Sequence, residues 1–141
     1  MENNKINIAE KLKDCPMGMK LYSPLFGYDN CTDMPFQDGK FRMVVFDPPH
    51  LARVGEKSWL CKKYGKLPEN WQQFINDSIH ECMRVLADFG VLIFKWNEQQ
   101  IKVNDVLNAI TDYRPVFGHR TTIKNNTIWM AFMKMRKGGD K

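Results

Sequence analysis

No stretch of this 141-residue chain is apolar for anything near the ~20 residues that a membrane-spanning helix needs. The opening segment, MENNKINIAEKLKDC, lacks the apolar core of a secretory signal. A cytoplasmic protein with no membrane partner is therefore expected. The four cysteines, Cys15, Cys31, Cys61 and Cys82, form no CxxC pair, and His50, His80 and His119 are scattered. That spacing speaks against a zinc site, so no metal is expected and the thiols read as free. Internal repeats and low-complexity runs are also missing. What is present is the composition of an ordinary globular domain, 43% hydrophobic and 26% charged. One domain spanning 1–141 with one core is the expectation.

The charge is uneven. Lys and Arg number 21 against 16 Asp and Glu, a net charge of +5. Arg53, Lys57, Lys62, Lys63 and Lys66 form one basic cluster, and Arg114, His119, Arg120 and Lys124 another. A basic loop beside a reactive site would attract a polyanion such as nucleic acid. The same residues would serve as a solvated face.

Along the chain, apolar Ile6, Ile8, Ala9 and Leu12 predict a short helix over 1–14, and residues 19–27 an edge or extended segment containing Pro24. Residues 28–40 are rich in turn formers. Arg42 to Phe46 is apolar without alternation, which predicts a parallel strand buried on both faces. It must end at Asp47-Pro48-Pro49, because two prolines cannot donate to a ladder. Residues 50–67 form a long loop, too long for a plain connector. Trp71, Phe74, Ile75, Ile79, Cys82, Met83 and Leu86 recur at helical spacing and predict a helix over 69–88. Val91 to Trp96 reads as a second buried strand, 103–112 as a helix, 115–117 as a short strand and 127–135 as the last strand. This order predicts an α/β sheet whose last two strands form an antiparallel hairpin.

Ligands of open α/β sheets bind at the carboxyl ends of strands, and Asp47-Pro48-Pro49-His50 sits at such an end. An amino group on an aromatic ring is a poor nucleophile, because its lone pair is delocalised. Two hydrogen-bond acceptors on its N–H groups favour a more tetrahedral, more nucleophilic nitrogen. Asp47 supplies one acceptor and the Pro48 carbonyl the other, while Pro48 and Pro49 hold the backbone dihedral φ. His50 is flat and can stack on the ring. The bland alternative is a strand-terminating turn.

The motif resembles the [D/N]-P-P-[Y/F/W/H] signature of amino-directed methyltransferases of DNA and RNA. The longer run is similar to small class I S-adenosylmethionine-dependent methyltransferases of bacteria and phages. It comprises Asp33-Met34-Pro35-Phe36-Gln37-Asp38, Phe41, Val44 to Leu51, Ser58-Trp59, Tyr64-Gly65, Gly90 to Trp96 and Trp129 to Met133. The likeness covers 30–134 and leaves 1–29 as a divergent segment. It implies a Rossmann-like class I methyltransferase fold with a small or truncated sheet. It also implies S-adenosylmethionine as cofactor, catalysis by Asp47, Pro48, Pro49 and His50, and cofactor contacts from Asn30, Thr32, Asp33 and Phe36. One departure stands out. The glycine loop and the acidic strand end that hold the cofactor in this family precede the Asp33–Phe36 segment, and no such pattern occurs here.

Ser58, Trp59, Lys95, Trp96 and Asn97 are candidate substrate contacts. Trp59 could stack on a base or pin the loop to the sheet. Trp96 could line a pocket or fill the core, and His119 with Arg120 could meet phosphate or stand exposed. The expected function is methyl transfer to an amino group of a nucleobase in DNA or RNA. The alternative is a non-catalytic module of the same fold that binds nucleic acid or a partner subunit. A half sheet with an exposed edge also makes a homodimer plausible.

Overall fold

The computed structural model describes residues 31–122 and 124–136, except the side chains of Lys63 and Tyr64. The expected helix over 1–14, the segment 19–27 and the cofactor contact Asn30 lie outside the described residues. The chain divides after Cys31 into two compact units, and the second, Thr32–Lys141, carries the described elements.

Those elements are β1 (Phe41–Phe46), α1 (Trp59–Tyr64), α2 (Trp71–Val85), β2 (Leu86–Asn97), α3 (Val103–Ala109), β3 (Phe117–Arg120) and β4 (Thr127–Met133). The architecture is mixed α/β, with one four-stranded mixed sheet in the order β1-β2-β4-β3. β1 and β2 are parallel, joined through α2. β4 runs antiparallel to β2 and to β3. The last two strands thus form the expected hairpin.

Period-2 alternation divides the sheet into two unlike faces. The register places Val44 and Phe46 beside Leu92 and Phe94. It places Trp96, Phe94 and Leu92 beside Ile128, Met130 and Phe132. Phe46, Leu92, Phe94, Trp96, Ile128, Met130 and Phe132 on this face are buried. Buried Ile75, Ile79, Cys82 and Met83 of α2 and Val106 of α3 complete the core. Phe94 sits at its centre, in ring contact with Phe46, Trp96 and Phe132.

The other face carries Met43, Val45 and Asp47 from the β1 side, Val91, Ile93, Lys95 and Asn97 from β2, Trp129, Ala131 and Met133 from β4, and Phe117 and His119 from β3. Met43 is 56% and Val45 60% exposed. β1 is therefore not buried on both faces, as its unbroken apolar run predicts. The helices α2 and α3 complete the core on the first face, and β1 has β2 as its only strand neighbour among the described residues.

Element boundaries also differ from expectation. The helix ends at Val85, and the chain passes directly into β2 at Leu86. The pairing jumps from Phe41↔Leu86 to Met43↔Val91, so Ala87 to Gly90 bulge out of register. Phe89 takes φ 62 in this bulge. At Gly90 a Cβ would lie 2.8 Å from the Ala87 carbonyl oxygen and 3.1 Å from that of Arg42, so the bulge closes only on glycine. Backbone bonds Phe89 N–H to Lys134 O (2.8 Å) and Lys134 N–H to Gly90 O (2.9 Å) tie it to the end of β4. The expected loop 50–67 contains the short helix α1. The expected strand 115–117 is displaced to Phe117–Arg120, the helix 103–112 stops at Ala109, and the strand 127–135 stops at Met133.

Candidate functional site

Asp47 follows the last residue of β1, where Pro48 and Pro49 end the ladder. Its carboxylate points to the open face. Asp47 Oδ2 accepts from Lys95 Nζ at 2.8 Å, and the carboxylate side chain is 53% exposed. Lys95 is the β2 residue beside it, and its ammonium also lies 5.6 Å from the centre of the Trp129 ring, within cation–π range. Trp129 pairs with Lys95 on one side and with His119 on the other. Asp47, Lys95, Trp129 and His119 thus form one row across all four strands.

His50 is half-buried. Burial pushes its imidazole below the ordinary histidine range; the Asp47 charge pulls it back up and Lys95 adds to the lowering. Burial dominates, so the ring is neutral near pH 7, a flat uncharged surface beside Asp47.

The long loop that follows is closed at its base. Leu51 and Leu67 are both buried, and Leu67 N–H donates to Leu51 O at 2.9 Å. Gln100 clamps the near side: its Oε1 accepts from the N–H groups of Ala52 (2.9 Å) and Arg53 (2.7 Å), and its Nε2 donates to Arg53 O (3.1 Å). Gly65 closes the far side with φ 76, where a Cβ would approach Pro49 Cγ to 3.1 Å. The loop therefore braces the Pro-Pro turn. Ser58 is the N-cap of α1, its Oγ accepting from Cys61 N–H at 3.1 Å. Trp59, the first residue of α1, is exposed, with Leu60 beside it.

Of the expected substrate contacts, Lys95 stands next to Asp47. Trp96 does not: it points to the opposite face, is 1% exposed, and its Nε1 donates to Ile101 O at 3.0 Å. Alternation explains this, since neighbours in a strand face opposite ways. Asn97 is engaged in the strand-end turn, donating to Thr127 Oγ1 (3.2 Å) and accepting from Gln99 N–H (2.9 Å).

The expected cofactor segment lies elsewhere. Arg84 on α2 donates to Phe36 O (2.8 Å), Met34 O (3.0 Å) and Asp38 Oδ1 (2.6 Å), and pairs with Glu81. Glu81 Oε1 in turn accepts from Met34 N–H at 2.7 Å. These bonds clamp 34–38 against the last turns of α2, where β1 and β2 begin. Asp47 closes the other end of β1. Phe36 and Asp47 are thus held at opposite ends of the strand, and the described residues do not gather a glycine loop, Thr32, Asp33 and Phe36 around Asp47. They do not fit a holder for S-adenosylmethionine. Among the described residues, no group of three His, Cys, Asp or Glu side chains is placed to hold a metal ion.

Sequence reasoning missed Trp129, Gln100 and the Glu81–Arg84 clamp as parts of this architecture. The alternation in TIWMAFM places Trp129 on one face with Ala131 and Met133. Its position beside Lys95, however, requires the β2–β4 register. Compared with protein-family models and with curated proteins, the chain matches none.

Proposed function

We propose that the end of β1 is the amine-recognising part of a Rossmann-like, S-adenosylmethionine-dependent methyltransferase acting on an amino group of a nucleobase. The observation that carries this reading is the state of Asp47. Lys95 holds Oδ2, while Oδ1 has no hydrogen bond among the described residues and the side chain is half open to solvent. A carboxylate fixed through one oxygen and open through the other is suited to accept from an incoming N–H. The Pro48 carbonyl is a second acceptor on a backbone whose φ is preset. Both draw on the amine hydrogens and so raise the nucleophilicity of the nitrogen. Neutral His50 offers a stacking surface without placing a positive charge beside the amine.

Asp47, the Pro48 carbonyl and His50 suit the acceptor side of this reaction, whereas Phe36, expected beside the methyl donor, is held at the other end of β1. The second reading, a non-catalytic module binding nucleic acid or a partner subunit, is favoured by the separation of Phe36 from Asp47. Two measurements decide between them. Calorimetry of the full chain with S-adenosylhomocysteine should show binding, and Asp47→Ala should abolish methyl transfer to a mixed-sequence nucleic acid while retaining the circular dichroism of the parent. No binding at millimolar ligand, or parent rates in the Asp47→Ala variant, would remove the enzyme reading.

A further inference from the structure

The open face of the sheet has a graded composition. Two of its rows are apolar: Met43, Val91 and Met133, then Val45, Ile93, Ala131 and Phe117. The third is Asp47, Lys95, Trp129 and His119, at the rim where Asp47 ends β1. Three inter-strand gaps of about 4.8 Å make this row about 14 Å long.

Each member has a chemistry that suits a nucleotide strand. Trp129 is 39% exposed on an open sheet, and an exposed indole stacks any base through its π-face. The Lys95 ammonium has three donors, of which one is used on Asp47. The other two are free among the described residues to meet a phosphate oxygen. His119 is exposed on the far side of Trp129. The loops at this end of the sheet carry more positive than negative charge, with exposed Arg53 and Lys57 and one exposed Glu56 on the loop after His50, and exposed Lys124 on the β3–β4 turn. A net positive rim around an aromatic platform is complementary to a polyanion with flat bases, and four-stranded sheets with exposed aromatics are a known solution for unpaired strands.

We infer that this row is a track for single-stranded nucleic acid. Trp129 stacks the base adjacent to the one presented at Asp47, and Lys95 bridges Asp47 and the intervening phosphate. The inference rests on the amine-recognition reading for the identity of the base at Asp47, but not for the binding itself. A duplex keeps its bases paired and stacked internally, so it cannot present one to Trp129.

The test uses the full chain and fluorescein-labelled mixed-sequence 12-nucleotide DNA and RNA single strands, with the matching duplexes, read by fluorescence anisotropy over a salt series. The expected result is tighter binding of single strand than duplex, weakening with salt. Trp129→Ala should lose about 5- to 100-fold in affinity, the loss of one stacked base, while Trp129→Phe recovers most of it. Comparison of the DNA and RNA arms tells which strand is preferred.

Unchanged affinity in Trp129→Ala, or equal binding of duplex and single strand, overturns the track and leaves the Asp47 reading standing. Retained binding with no methyl transfer under any condition sinks the Asp47 reading and leaves the track. A concentration-dependent dimer in light scattering that Val45→Lys dissociates, with no single-strand binding by the dissociated form, assigns the face to a second copy of the chain and also overturns the track.

Discussion

At Asp47 the ion pair with Lys95 is half open to water, so it is a device for orientation more than for stability; exposed pairs are worth about 0–1 kcal/mol. His50 is the more informative titrating group. Its folded pKa is pushed below the ordinary value near 6.5, mainly by burial. The neutral form is thus the one the fold prefers. Its contribution is present above the unfolded pKa and is lost as pH falls toward the folded one. The parent should therefore lose stability between pH 7 and 5. His50→Phe should flatten that slope in urea unfolding run across the same range. An unchanged slope would mean that His50 titrates as if in water, and it would no longer be a neutral stacking ring.

At the scale of elements, α2 does two jobs. Its apolar side seals the core, and Glu81 and Arg84 near its end fasten residues 34–38. Arg84 donates to two carbonyls and two carboxylates. Its hydrogen bonds to Glu81 and Asp38 keep the guanidinium charged, and the one to Glu81 holds that carboxyl below the usual carboxylate range, against the nearby Asp38 charge. Removing the guanidinium would leave buried Glu81 without its counter-charge. Arg84→Ala should cost about 2–4 kcal/mol in urea unfolding, and Arg84→Lys should recover only part, since one ammonium cannot reproduce the fork. Glu98 plays a similar role at the end of β2, accepting from Val103 N–H at 2.8 Å and pairing with Arg120. Both carboxyls have folded pKa values below their unfolded ones. Their contributions are therefore present above the unfolded value and lost as pH falls through the folded one.

Taken as a whole, the Thr32–Lys141 unit is a one-sided sheet. Its helix-covered face holds Phe94 and Trp96, whereas its open face holds Met43 and Val45. Substitutions on the two faces should differ sharply. Phe94→Ala opens a cavity among Phe46, Trp96 and Phe132 and should cost about 3–5 kcal/mol. Val45→Lys places a charge where the side chain is 60% exposed and should cost less than about 1 kcal/mol in chemical denaturation. A large cost at Val45 would show that the face is covered in solution.

Much of this was legible from local pattern. The α2 periodicity, the stop at Asp47-Pro48-Pro49 and the final hairpin follow from side-chain period and from proline chemistry, which act over a few residues. The direct passage from Val85 into β2 was not legible, because the bulge over Ala87–Gly90 depends on where β1 and Lys134 lie. The unbroken apolar runs suggested two covered faces, yet hydrophobicity records what a strand tolerates, and only packing decides what covers it. Trp96 and Trp129 make the same point: both are indoles at strand positions, and register sends one into the core and the other beside Lys95. The sequence alone determined the main helix, the order of the strands and the chemistry available at Asp47, though not the exact bounds of the elements, since these features depend on neighbours in the chain. Tertiary structure alone decided that Asp47, Lys95, Trp129 and His119 stand in one row while Phe36 is held at the far end of β1, because residues this distant in sequence meet only through strand pairing and the α2 clamp.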